Sequence, residues 1–172
     1  DFVTYENRGP VLFPDSDLDS SGAYSGSAFV HDGKIHYFYT GNVKHFDRDD
    51  YDYVLTGREQ NQIHVVAENP DELGEKRIAV GPVDYPDDIG THVRDPKILE
   101  HDGIYYMVLG ARTKDDRGCV LVYTSSDLED WSYATRIELG EKFGFMWECP
   151  DLFELDGELI LVCCPQGVSA DG

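Results

Sequence analysis

Residues 94–109 read Arg94-Asp95-Pro96-Lys97-Ile98-Leu99-Glu100-His101-Asp102-Gly103-Ile104-Tyr105-Tyr106-Met107-Val108-Leu109. A short acidic motif leads into a few apolar residues, then an Asp-Gly turn, then a very apolar strand. Aspartate followed by glycine suits a tight hairpin, because glycine accepts positive φ at no steric cost. The same order occurs twice more. Ser25 to Val30 precedes His31-Asp32-Gly33 and Lys34 to Thr40, and Glu148-Cys149-Pro150-Asp151-Leu152-Phe153 precedes Asp156-Gly157 and Glu158 to Cys164. In each copy the motif stands eight or nine residues before the turn glycine.

Outward from these hairpins lie further β-rich segments bounded by turn residues. Gln60 to Ala67 and Lys76 to Val83 follow the first hairpin, and Gly118 to Thr124 and Trp131 to Leu139 follow the second. Four antiparallel strands per unit is the anatomy of a propeller blade. The chain therefore predicts an all-β fold, a partial propeller with units at about 22–84, 92–140 and 146–172, the last incomplete. Phe2 to Phe13 is expected to be the end of a preceding blade, residues 1–14. The turn glycines are spaced by 70 and then 54 residues, which points to a loop insertion in the first unit, most naturally Phe46 to Tyr53. Ser125 to Trp131 is expected to cover the outer edge of the second blade. One four-stranded sheet buries too little alone and needs neighbours on both faces.

The chain has 172 residues, 34 acidic and 14 basic, with a net charge of −20. That balance excludes a nucleic-acid surface and an anionic-membrane surface, both of which call for basic residues. No apolar run approaches the ~18 residues of a membrane span. The sequence starts at Asp1 without methionine and ends just past an apolar strand, as a piece of a longer protein would. Four cysteines, Cys119, Cys149, Cys163 and Cys164, form no CxxC pair. They are expected to be buried thiols in a reducing compartment, with Cys163 and Cys164 on opposite faces of one strand.

Two repeats place carboxylates in their motifs, Asp95 and Glu148. A converging carboxylate pair is the chemical minimum for cleaving a glycosidic bond. Plainer roles exist: Asp95 as a strand start before Pro96, Glu148 as a structural partner of Arg94, Trp147 as a core residue, and Cys149 as a small packed thiol. His92 lies close to the Arg-Asp-Pro motif and reads as a loop histidine. His45, Asp47, Asp49, Asp50 and Asp52 lack the glycine and distal glutamate of an EF-hand loop and read as a solvated acidic loop.

Tyr24-Ser25-Gly26-Ser27-Ala28, Tyr39-Thr40-Gly41-Asn42, Arg94-Asp95-Pro96 and Met146-Trp147-Glu148-Cys149-Pro150-Asp151 resemble glycoside hydrolase family 32 in order and approximate spacing. The resemblance runs from about Phe2 to Gly167. It implies a five-bladed propeller, an axial active site and a retaining double displacement on a β-fructofuranosyl bond. It implies Glu148 as general acid/base and Asp95 as transition-state stabiliser, with Arg94, Tyr24, Ser25 and Trp147 binding substrate. A raised pKa would suit Glu148, with Phe145, Met146 and Trp147 as desolvating neighbours and Asp95 as a nearby like charge. No cofactor and no metal are implied. The partners expected are sucrose, sucrose 6-phosphate or a fructan, together with the rest of the propeller and a C-terminal β-sandwich. The family's nucleophile, an aspartate in a Trp-x-Asn-Asp-Pro-Asn-type motif, has no match here, so it is expected upstream of Asp1 and this stretch alone is expected to be inactive. The compartment expected is a bacterial cytoplasm. The alternatives are a non-catalytic carbohydrate-binding or scaffold propeller, or a related five-bladed arabinosyl or xylosyl hydrolase.

Overall fold

The computed structural model of the chain describes residues 3–7 and 9–169. Its strands form three antiparallel sheets. The first contains β1 (Ala23–His31), β2 (Lys34–Lys44), β3 (Arg58–Asn69), the two-residue β4 (Glu72–Leu73) and β5 (Arg77–Val80), with β4 and β5 both paired to β3. The second runs in order through β6 (Ile89–His101), β7 (Ile104–Thr113), β8 (Gly118–Ser125) and β9 (Ser132–Ile137). The third is the hairpin of β10 (Met146–Leu155) and β11 (Glu158–Gln166). The architecture is a partial β-propeller: two full blades and the inner half of a third. No helix among the described residues is long and apolar enough to cross a membrane.

The Asp-Gly turns close the three inner hairpins as their chemistry requires. Asp32 and Gly33 have φ of 48° and 76°, Asp102 and Gly103 52° and 75°, Asp156 and Gly157 53° and 83°. Two successive left-handed residues make the turn whose twist matches antiparallel strands.

The second blade is buried on both faces, which is why β7 and β8 are apolar almost throughout. One face presents Met107, Leu109, Leu121 and Tyr123 to Phe38 and Val80 of the first blade. Trp131 closes that seam, its ring edge-on to Phe38 at 5.8 Å, with its indole N–H donated to Leu128 O. The opposite face presents Val108, Val120 and Val122 to Trp147, Leu152, Leu161 and Cys163 of the third blade.

Several expectations need correction. The strand expected over Phe2–Phe13 does not form among the described residues 3–7 and 9–13; Phe2 itself lies outside them. Gly9 turns left-handed with its N–H on the Asn7 side chain, Pro10 has no N–H to give, and the segment instead lays Leu12 beside Tyr39, Ile63 and Val65. The fourth strand of the first blade is shorter than Lys76–Val83, because Pro82 lacks the donor to continue it and opens a 3-10 turn, Pro82–Asp84. Only Cys119 is fully buried. Cys163 is half-buried, whereas Cys149 and Cys164 are exposed, and all four are free thiols. The third hairpin meets the second blade with one face only, through Leu152, Leu161 and Cys163, and its other face, with Leu155 and Val162, is open.

The seam between second and third blades is close enough to require glycine. A Cβ on Gly110 would stand 2.1 Å from Trp147 O, a backbone atom. Gly110→Ala is therefore expected to lower unfolding free energy by about 1–3 kcal/mol in urea denaturation. Gly140→Ala, where a Cβ meets nothing within 4 Å, should stay within about 0.5 kcal/mol of wild type.

Candidate active site

The inner strand of each sheet carries a bulge, and the motif residues sit on it. In β6, Arg94 pairs with Gly110 and Lys97 with Val108, so Asp95 and Pro96 together oppose Leu109. In β10, Glu148 pairs with Cys164 and Asp151 with Val162, so Cys149 and Pro150 oppose Cys163. Proline fits the second bulge position because no ladder N–H is needed there. The first bulge residues, Asp95 at φ 63° and Cys149 at φ 47°, are left-handed. By register, then, Asp95 corresponds to Cys149 and Arg94 to Glu148. The two carboxylates are one position out of step, not equivalent.

That offset lets the bulges interlock. The Cys149 N–H donates to Asp95 Oδ2 at 2.8 Å, joining the second and third blades. On the other side the Asp95 N–H donates to Thr40 Oγ1 at 3.0 Å, joining the second blade to the first. Thr40 donates onward to Gln62 Oε1 at 2.7 Å. Gln62 Nε2 donates to Val93 O, and the Val93 N–H donates to Gln60 Oε1. The backbone of β6 is thus held just before Arg94, at Val93, by two amide side chains of β3, and just after it, at Asp95, by the hydroxyl of Thr40 in β2.

Arg94 projects between the two carboxylates. Its Nη2 and Nε donate to Glu148 Oε1 at 2.7 and 3.2 Å, and its Nε stands 4.0 Å from Asp95 Oδ2. The second oxygen of Glu148 accepts from Gln166 Nε2 at 2.7 Å. Asp95 is the more enclosed acid, its side chain 8% exposed against 29% for Glu148. Burial raises the Asp95 carboxyl above the ordinary aspartate range and the charge of Glu148 adds to this, while the Cys149 N–H and Arg94 oppose it.

His92, two residues before Arg94 on the same strand face, buttresses the guanidinium. Arg94 Nη1 donates to His92 Nδ1 at 3.1 Å, so the other nitrogen, Nε2, carries the proton and donates to Tyr53 O at 3.0 Å. Burial, then Arg58, pushes this imidazole down to about 4, so it stays neutral.

Asp95, Glu148, Arg94, Tyr24 and Ser25 all line one cleft of about 540 Å³, together with Ala23, Tyr53, Arg58, Cys149 and Gln166. Trp147 does not. It is 4% exposed, donates its indole N–H to Phe143 O at 2.7 Å and packs between blades against Val108, Val120 and Val122. Its neighbour Glu148 faces the cleft, and strand alternation sends Trp147 the opposite way. Met146 is likewise interior and Phe145 lies under Arg112, so the residues flanking Glu148 on the cleft side are Arg94 and Gln166 rather than an apolar wall. The Cys149 thiol is pushed up to about 11, by partial burial and then by Asp95, which keeps it protonated and a poor nucleophile.

Three contributors escaped the sequence reading: Tyr53, Arg58 and Gln166. Gln166 had a signal, since it lies diagonally across the hairpin from Glu148. Arg58 opens β3 ahead of the polar run Glu59 to Gln62, where it does not stand out from its neighbours. Tyr53 sits in the inserted loop, where nothing in the sequence marks its direction. Among the described residues no three His, Cys, Asp or Glu side chains gather as a metal ion would require.

The glycosyl hydrolases family 32 N-terminal domain matches residues 1–172, and the chain belongs to that family. It is 38% identical over 177 aligned positions to the sucrose-6-phosphate hydrolase of Salmonella typhimurium, covering 99% of this chain and 35% of that protein. The solved structure of the sucrose-6-phosphate hydrolase from Lactobacillus gasseri superposes with a TM-score of 0.82 at 35% identity, over 95% of this chain and 32% of that one. A Bombyx mori family 32 β-fructofuranosidase mutant, solved in complex with sucrose, superposes with a TM-score of 0.72 at 31% identity, over 87% and 31% of the two chains. The chain thus spans about a third of the length of the relatives it matches.

The His92 arrangement has a pH signature. Unfolded histidine titrates near 6.5 and His92 in the fold near 4, so the stability it contributes is present above 6.5 and is lost as pH falls from 6.5 through 4. Histidine NMR should show the neutral tautomer protonated on Nε2 down to about pH 4.5; an imidazolium already at pH 6 would contradict the hydrogen-bond assignment.

Proposed function

We propose that the protein carrying this chain is a β-fructofuranosidase of the sucrose or sucrose 6-phosphate type, and that residues 1–172 form part of its single catalytic propeller. The observation that carries this is the convergence of Asp95 and Glu148, from bulges of adjacent blades, on one cleft. The names of the relatives, sucrose-6-phosphate hydrolase and β-fructofuranosidase, support the reaction class.

In this reading Glu148 protonates the glycosidic oxygen of the leaving glucosyl group, then takes a proton from the water that releases fructose. It is the more accessible acid, and Arg94 with Gln166 holds both its oxygens in place. Asp95 hydrogen-bonds fructosyl hydroxyls as positive charge develops on the ring. Its backbone N–H is held by Thr40 and one carboxylate oxygen by the Cys149 N–H, so little reorganisation is needed during reaction. Tyr24 and Ser25 line the sugar side of the cleft. The nucleophile that completes a retaining pair with Glu148 belongs to a part of the protein outside these residues, and this stretch alone is proposed to be inactive. Free thiols and bacterial relatives support a cytoplasmic enzyme.

The test is hydrolysis of sucrose and sucrose 6-phosphate by the full-length protein. Glu148→Gln is expected to lower kcat by about 10²–10⁴-fold while the protein stays folded. A wild-type protein that cleaves neither substrate, nor levan or inulin, would leave the non-catalytic carbohydrate-binding propeller as the better account.

A further inference from the structure

Arg58 is the one cleft cation whose charge the described residues do not answer. Arg94 is paired with Glu148 and Arg112 with Asp116. Arg58 is only 6% exposed, yet its guanidinium makes no hydrogen bond or ion pair among the described residues, and its buried Nε has no acceptor. The Arg58 guanidinium carbon lies over the Tyr53 ring, 4.2 Å from its centroid. A desolvated, unpaired guanidinium is costly, and its fork of donors matches a phosphate. Such a group left unpaired in a chain of net charge −20 is a site for an anionic ligand rather than a surface accident.

Its place along β3 says which part of the ligand it meets. Gln62 backs the bulge at Thr40 and Asp95, Gln60 binds β6 at Val93, and Arg58 comes next on the same strand face. It therefore lies about 13 Å along the strand from the level of Asp95. Contacts run in the same direction, from Arg94 to His92, from His92 to Tyr53 and from Tyr53 to Arg58. Arg58, Asp95 and Glu148 line the same cleft of about 540 Å³, so a disaccharide with its fructosyl ring on Asp95 and its glycosidic oxygen at Glu148 can reach Arg58 with its leaving glucosyl ring.

We propose that Arg58, stacked on Tyr53, binds a phosphate monoester on the leaving glucosyl ring and so selects sucrose 6-phosphate over sucrose. This rests on the fructosidase assignment of the same cleft. The experiment compares kcat/KM of the full-length protein on the two substrates, for wild type, Arg58→Gln and Arg58→Lys. Wild type should prefer the phosphorylated sugar. In Arg58→Gln the ratio of the two kcat/KM values should fall by about 10- to 100-fold, mainly through KM for sucrose 6-phosphate. Arg58→Lys should keep part of the preference. In wild type, glucose 6-phosphate should inhibit sucrose cleavage at lower concentration than glucose, which keeps the test decisive if Arg58→Gln does not fold. Inorganic phosphate should inhibit more weakly than glucose 6-phosphate, showing that the site reads a sugar phosphate and not free phosphate. Three results would overturn the proposal while leaving the fructosidase assignment intact: equal wild-type rates on both sugars, an unchanged ratio in Arg58→Gln, or inhibition by glucose 6-phosphate no stronger than by glucose. Cleavage of neither sugar by wild type would overturn the assignment itself, and the proposal with it.

Discussion

Asp95 accepts the amide of Cys149 with its carboxylate and donates its own amide to Thr40. Through one residue the second blade is tied to the third and to the first, at the point where all three inner strands approach. Left-handed backbone at non-glycine residues such as Asp95 and Cys149 costs on the order of 1–3 kcal/mol each. It persists because both bulges are over-determined: prolines follow them, the interlocking hydrogen bond closes across them, and Gln60 and Gln62 grip β6 from behind. The same geometry turns the Arg94 side chain onto Glu148 and puts two acids in one cleft.

The layers of the molecule serve that junction. The second blade is apolar on both faces because it must pack two neighbours, and Gly110 allows the backbone of the third blade to come within reach of Asp95. The seam between first and second blades changes character along its length. Far from the cleft it is Phe38, Met107 and Leu121, whereas near the cleft it is Thr40, Gln60 and Gln62. Apolar packing holds the blades together; directional hydrogen bonds set where Asp95 sits. A register error of one residue would exchange these roles.

Much of this was legible in the residues. Asp-Gly pairs announced the inner hairpins, and the four-stranded units announced blades that need neighbours on both faces. The motifs marked the right strands, and Asp95, Glu148, Arg94, Tyr24 and Ser25 do share a cleft. What was not legible depends on bulges and on distant residues meeting. Counting back from the turn glycines made Asp95 and Glu148 look equivalent, and only the strand register shows Cys149 opposite Asp95. Trp147 looked like a sugar contact because it adjoins Glu148, but alternation along the strand points it into the core. Arg58 and Tyr53 come from an inserted loop and the strand after it, and no local pattern says that they stack beside His92.

The central claim is that Asp95 and Glu148 act on the two sides of one fructosyl bond. A crystal structure of the full-length Glu148→Gln protein with sucrose 6-phosphate tests it most directly. The account predicts fructosyl hydroxyls within hydrogen-bond distance of Asp95, and the glycosidic oxygen within hydrogen-bond distance of the side chain at position 148. A sugar ordered in any other hollow, with the Asp95 carboxylate contacting only the Cys149 amide, would contradict it.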